Sequence, residues 1–157
     1  DSVGGKIKTI VSGLNVGLGE PFFESLESEI SKFMFSIPSI KAIEFGLGTG
    51  FASAYGSEVN DAFTIVDNII CTSTNYNGGI LGGMSSGMPL DFTLTLKPTA
   101  TIKIEQDSVD IDQYKNIKFT NMGRHDPSIV SRTPIVVENA VAIVLLDLIL
   151  QGRKISE

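Results

Sequence analysis

Four short segments put reactive side chains and unusual backbone at close spacing. Lys97-Pro98-Thr99-Ala100-Thr101 sets a cation and two hydroxyls in a connection that Pro98 stiffens. Lysine is a point charge suited to phosphate, and threonine hydroxyls donate to phosphate or carbonyl oxygens. The same residues also suit a plain polar hairpin turn, the more ordinary use of such a segment. Gly123-Arg124-His125-Asp126-Pro127-Ser128 concentrates charge in one loop. Arg124 could grip a phosphate with two donors, and Asp126 could accept a proton or orient a ring; a solvated turn has equal claim. His125 is the only histidine. A Ser-His-Asp triad is disfavoured here, because neighbouring side chains on a strand point apart and no G-x-S-x-G elbow exists.

The glycines supply the other two segments. Gly78-Gly79-Ile80-Leu81-Gly82-Gly83-Met84-Ser85-Ser86-Gly87 carries two Gly-Gly pairs that let backbone come very close to a partner, whether a flat ring, a phosphate or another strand. A floppy loop fits the composition equally, but Asn75, Asn77 and the Ile80-Leu81 pair favour a packed one. Gly46-Leu47-Gly48-Thr49-Gly50 follows a strand pattern and suggests a dinucleotide loop. Its G-x-G-x-G spacing lacks the third glycine at the required offset, and no helical pattern opens after it. A glycine turn is the better reading.

These segments need elements to hold them. Pro21 to about Phe35 has Phe22, Leu26, Ile30 and Phe33 at helical spacing, which predicts an amphipathic helix that Pro38 ends. Pro134 to about Gln151 predicts a second helix, with Thr133 as its N-cap and Gly152 just beyond it. That helix is apolar on nearly every face, yet falls short of the ~20 apolar residues a bilayer needs. It reads as a central helix covered on both sides. Leu90, Phe92, Leu94 and Leu96 alternate with polar residues and predict a strand. Ile102 and Ile104 predict a second one, joined to the first at Pro98-Thr99-Ala100. Lys6–Ser12, Ile40–Phe45 and Ile117–Thr120 are further strands. Helices and strands do not alternate, so the fold class is α+β.

Composition narrows the functions. Twelve Lys and Arg against 18 Asp and Glu leave a net charge of −6 over 157 residues, which excludes a general nucleic-acid binder. Cys71 is the only cysteine, so an internal disulfide and a cysteine-based metal centre are both impossible, and no metal is expected. Glycine is abundant, at 16 of 157. The chain opens on Asp1 and reads as a piece cut from something longer.

In order along the chain, several of these segments resemble chorismate synthase. The matching residues are Asp1-Ser2-Val3-Gly4-Gly5, Gly17-Leu18-Gly19-Glu20-Pro21-Phe22, Phe35-Ser36-Ile37-Pro38-Ser39-Ile40-Lys41 and Glu44-Phe45-Gly46. Asn75 with the Gly78–Gly87 loop, Lys97-Pro98-Thr99, Gly123-Arg124-His125-Asp126-Pro127 and Glu138-Asn139 complete the set. The resemblance spans residues 1–157 as the C-terminal part of that enzyme, with the N-terminal part absent. It implies a β-α-β sandwich, antiparallel sheets around long central helices, assembled as a homotetramer. It implies a carbon–oxygen lyase of the shikimate pathway that eliminates phosphate from 5-enolpyruvylshikimate 3-phosphate to give chorismate and requires reduced FMN. The setting it implies is cytoplasmic, or a plastid in a plant-like source, with no membrane partner.

Carried across residue by residue, the resemblance places flavin contacts at Ser39, Gly82, Lys97, Pro98, Thr99, Ala100, Thr101 and Arg124. Pro38-Ser39 departs from the Asn-Ala pair common in the family, so contact there is expected through backbone. Arg124 also lies near substrate, and Asp126 helps move the proton. The family accepts serine at His125, which makes that histidine a bystander. The catalytic histidines and most substrate-binding arginines of the family belong to its N-terminal part, so this chain alone is expected to be inactive. The rival from another class is a folded scaffold that self-associates through apolar surfaces and binds no flavin.

Overall fold

The alternation of Leu90, Phe92, Leu94 and Leu96 builds the strand on which everything else is laid. In a computed structural model describing residues 1–155, this strand is Leu90–Leu96, and all four residues are buried. The elements run β1 (Gly5–Val11), α1 (Leu26–Met34), β2 (Ile40–Phe45), α2 (Gly56–Val59), β3 (Phe63–Val66), β4 (Ile69–Thr72), β5 (Ile80–Leu81), β6 (Met84–Ser85), β7 (Leu90–Leu96), β8 (Gln106–Asp110), β9 (Lys115–Phe119) and α3 (Thr133–Ile155). β7 is the centre of a three-stranded antiparallel sheet in the order β1-β7-β2, with Ile7 and Ile43 both opposite Leu94. The other pairs, β3–β4, β5–β6 and β8–β9, are separate two-stranded ribbons.

One face of the main sheet is core. Leu26, Ile30 and Met34, four residues apart on α1, are fully buried, as are Leu90, Phe92 and Leu94 beneath them. Val137, Ala140, Val141, Val144, Leu145 and Leu148 of α3 belong to the same cluster. Each such side chain contributes about 1.5–3 kcal/mol by leaving water. The opposite sheet face is polar, with Lys8 paired to Asp91 at 3.0 Å and Lys6 to Glu44 at 3.4 Å. The mixed antiparallel and helical content is α+β, as predicted.

The structure corrects several local expectations. The first helix begins at Leu26, not Pro21, because Ser25 is extended (ψ 153°) and its hydroxyl accepts from Ser28 N–H as the cap. Phe22, expected on the core face, sits in a 3-10 turn before it at φ +69° and is exposed. The second helix runs through Gly152 to Ile155, and the Thr133 hydroxyl donates back to the Ile129 carbonyl at 2.8 Å instead of capping. By length and composition α3 could cross a membrane, with mean hydropathy 2.0 over its most apolar window. Its core face packs on the sheet and α1, while Ile135, Val136, Ile143, Leu146 and Leu150 are exposed. The helix is therefore covered on one side, not two. No strand forms at Ile102–Ile104. β7 has β1 and β2 as its neighbours, and the next strand, β8, pairs with β9.

Candidate functional site

Four segments converge where β7 ends. Lys97 N–H donates to the Ser39 carbonyl at 2.9 Å, which brings the Pro38-Ser39 corner against the start of the Lys97–Thr101 segment. Ser39 adopts φ +77°, a left-handed turn that redirects the chain into β2. The Ser2 hydroxyl donates to the Thr99 carbonyl at 2.6 Å, and Val3 N–H to the Pro127 carbonyl at 2.9 Å. Residues 2 and 3 thus tie the Lys97–Thr101 and Gly123–Pro127 segments together. Gly4 is required here, since a Cβ would collide with the Leu96 carbonyl. Lys97–Thr101 is therefore an anchored exit from the sheet and not the hairpin turn that composition suggested.

Polar groups at this end lack partners. The Thr99 hydroxyl and His125 Nε2 are buried, with no hydrogen-bond partner. Such a group costs about 1–3 kcal/mol when left unmade, so it marks where a bound molecule would be gained. Among the described residues, neither Lys97 nor Arg124 forms an ion pair, and both are exposed. Asp126 is held at its Oδ2 by Arg132 Nη1 at 2.8 Å. Arg132 was not among the candidates read from sequence, and its place six residues on, just before α3, offered no periodic signal. Two cations without ion pairs among the described residues and an unpartnered hydroxyl are groups that suit an anionic, hydrogen-bonding ligand, and the carboxylate of Asp126 is an oriented acceptor beside them in sequence. Among the described residues no His/Cys/Asp/Glu cluster could hold a metal ion.

Gly82 lies elsewhere. It is in the turn of the β5–β6 ribbon with φ +61°, and a Cβ there would meet nothing within 4 Å. That ribbon belongs to the other end of β7: Asp91 N–H donates to the Gly78 carbonyl, and Ser86 N–H to the Gly79 carbonyl, both at 2.9 Å. The seven residues of β7 separate the two ends, roughly 20 Å at about 3.3 Å per residue. Ser39, Lys97–Thr101 and the Arg124–Asp126 loop are brought together; Gly82 is not brought to them within this chain.

The glycine end is closely self-packed. A Cβ on Gly78 would lie 2.5 Å from the Asp91 carbonyl oxygen, and one on Gly79 2.5 Å from that of Pro89. Gly46 leaves room for the Tyr76 carbonyl, which accepts from Leu47 N–H at 2.7 Å. Two of the segments singled out for chemistry therefore use glycine to let protein backbone approach protein backbone. Asp61, also missed from sequence, organises the approach. This buried carboxylate accepts from Thr74 Oγ1 at 2.7 Å, Tyr76 N–H at 2.8 Å, and Asn77 N–H and Nδ2 at 2.9 and 2.8 Å. Burial pushes its carboxyl up, but the hydrogen bonds from Asn77, Thr74 and Tyr76 outweigh it and hold the group below its ordinary value. Glu44 is also lowered, chiefly by the Thr49 hydroxyl and N–H and then by Lys6.

Comparison with known proteins gives these features a frame. The chorismate synthase family profile matches residues 1–150. A chorismate synthase of Dehalococcoides mccartyi is 46% identical over 155 residues, 99% of this chain and 43% of that protein. Those of Methanobrevibacter smithii and Pyrococcus abyssi are each 43% identical, over 94% and 98% of this chain. A crystal structure of chorismate synthase superposes with a TM-score of 0.76 at 27% identity, over 96% of this chain and 38% of that one. The chain thus spans less than half the length of the relatives it matches.

Proposed function

The chain belongs to the chorismate synthase family, and on that premise we propose that it is the C-terminal part of a chorismate synthase domain. The activity proposed for the whole protein is a carbon–oxygen lyase reaction on 5-enolpyruvylshikimate 3-phosphate, the last common step of the shikimate pathway. The C–O bond to phosphate breaks, phosphate leaves with the electron pair, a ring proton is lost, and the new double bond gives chorismate. The setting proposed is the cytoplasm, with no nucleic acid or membrane as partner. The assembly proposed is a homo-oligomer.

In this reading Lys97, Thr99, Thr101 and Arg124 hold FMN through side chains, while Ser39, Pro98 and Ala100 contribute close backbone. Reduced FMN, when bound, lends electron density without net oxidation or reduction. Lys97 and Arg124 bind anionic oxygens, with Arg124 also facing the substrate. Arg132 occupies Oδ2 of Asp126 and leaves Oδ1 with no hydrogen bond among the described residues, an oxygen available to pass a proton. The observation that carries the proposal is that Lys97 and Arg124, without ion pairs among the described residues, lie on the two segments that residues 2 and 3 tie together, one of which also carries the buried, unpartnered Thr99 hydroxyl.

Titrating FMN into the chain and following its fluorescence tests this directly. Quenching is expected, with affinity reduced about tenfold or more by Lys97→Ala and by Arg124→Ala, since a charge-assisted hydrogen bond is worth about 1.5–3 kcal/mol. The chain alone is expected to show no turnover under anaerobic conditions with reduced FMN. The second reading, a flavin-free scaffold, draws on the bare apolar face of α3. Absence of quenching would favour it.

A further inference from the structure

Asn77-Gly78 is the only Asn-Gly pair in the sequence. In such a pair the glycine nitrogen can attack the carbon of the asparagine side-chain amide, because no side chain on the second residue shields that nitrogen. The C–N bond that forms closes a cyclic imide, and the side-chain nitrogen leaves as ammonia. Water then opens the ring, at one carbonyl to aspartate and at the other to isoaspartate, whose backbone runs through the former side chain. The chain's own atoms and water suffice.

The fold demands this pair on two separate counts. Gly78 is buried at φ +67°, and a Cβ there would lie 2.5 Å from both the Asp91 carbonyl oxygen and the Gly46 nitrogen. Asn77 is demanded by Asp61, whose Oδ2 accepts from its N–H at 2.9 Å and from its Nδ2 at 2.8 Å. An aspartate at 77 would set a second carboxylate against the buried first one.

The same contacts hold the reaction off. Attack requires the Gly78 nitrogen to swing onto Cγ of Asn77 and give up its proton. That N–H donates to the Asn75 carbonyl at 3.1 Å, and the Gly78 carbonyl accepts from Asp91 N–H at 2.9 Å. Gly78 is held from both sides. The leaving nitrogen, Nδ2, is pinned against the Asp61 carboxylate, which has no proton to give departing ammonia and opposes added electron density on the amide. Thr74 and Tyr76, bound to Oδ1, fix Asp61 in turn. All of these contacts lie inside the chain and do not depend on what covers its exposed faces.

We propose that Asn77-Gly78 is a latent self-modification site, an intramolecular cyclisation that Asp61 holds closed in the folded protein and that local opening of the glycine loop releases. Once reacted, the site does not close again. The product at 77 is an acid that has lost the Nδ2 donor and repels Asp61. Isoaspartate also lengthens the backbone beside Gly78, which has no space to spare between Asp91 and Gly46. A transient opening at the Leu90 end of β7 is thereby made permanent.

Incubating the whole protein at mildly alkaline pH and mapping the Asn77 peptide by mass spectrometry, with isoaspartate counted separately, tests it. Folded wild type is expected to react at least tenfold more slowly than the same protein in urea. Asp61→Asn is expected to speed the folded-state reaction about tenfold or more, the worth of a hydrogen bond to a charged group. Leu148→Ala loosens the core at α3, outside the loop, and is expected to leave the rate within about twofold, since local opening precedes global unfolding. Where Asp61→Asn fails to fold by circular dichroism, Thr74→Val takes its place: it removes one donor from Asp61 Oδ1 and is expected to speed the reaction severalfold. A wild type that reacts as fast folded as in urea overturns the proposal without any variant. Acceleration by the loop variant no greater than that by Leu148→Ala also overturns it, by assigning the protection to overall stability.

Discussion

The two ends of β7 use similar-looking sequence for opposite purposes. At the Leu90 end, glycine pairs and a buried aspartate bring protein backbone against protein backbone, and the loop's hydrogen bonds are made within the chain. At the Leu96 end, the backbone is equally anchored through Ser2, Val3 and Ser39. There the side chains are left wanting: among the described residues the Thr99 hydroxyl and His125 Nε2 are buried without partners and two cations form no ion pair. A self-satisfied region is a foundation; an anchored region with unmet groups is a place for a ligand.

Substituting a closely packed glycine should strike this contrast hardest. Gly78→Ala forces a left-handed conformation (φ +67°) on an L-residue and drives its Cβ toward the Asp91 carbonyl. We expect a loss of about 3 kcal/mol, visible as a fall of roughly 10 °C in Tm. Gly82→Ala, with positive φ but open space, should cost only about 1 kcal/mol. Equal losses at the two positions would erase the distinction between packed and open glycines.

Asp61→Asn comes next. Four donors face its carboxylate, and an amide can accept only with its single oxygen while presenting two hydrogens to the rest. A loss of about 2–3 kcal/mol is expected by urea unfolding at neutral pH. Because the folded carboxyl sits below its ordinary value, its stabilisation is complete above the unfolded-state value. It is lost as pH falls through the lowered folded value, in the acid range under about pH 3.9. The wild type should therefore lose stability relative to Asp61→Asn on acidification below that point. Parallel curves would show that the hydrogen bonds at Asp61 do not act on its charge.

The smallest expected effect lies at the other end. Thr99→Val removes a buried hydroxyl that has no partner, so stability without ligand should stay within about 1 kcal/mol or rise slightly. FMN binding should weaken about fivefold. A folded variant that binds FMN as tightly as the wild type, or one that loses several kcal/mol of stability, would reverse the assignment of this end as a ligand site.

Much of this was legible in the residues. Alternation along Leu90–Leu96 and the four-residue spacing of Leu26, Ile30 and Met34 are local patterns, and local patterns specify which face of an element is apolar. The ordered motifs, from Gly4-Gly5 to Asp126-Pro127, marked the family and the segments near the site. Other features depend on distant partners. Nothing near Asp61 in sequence announces Asn77 as its partner, and nothing at Asp126 points to Arg132. The helix boundary at Ser25 was hidden because Pro21 is an equally good starting residue.

The sequence by itself determined the elements of the sheet, the apolar character of α3 and the residue types available for chemistry, since these follow from composition and period. Only the tertiary structure decided which glycines abut backbone and which stand open, and that Lys97, Ser39 and Thr99 meet at one end of β7 while Gly82 lies at the other. It also decided that α3 is covered on one face. A strand's length and the order in which strands pair set those distances, and pairing joins residues far apart along the chain, where no local pattern reaches.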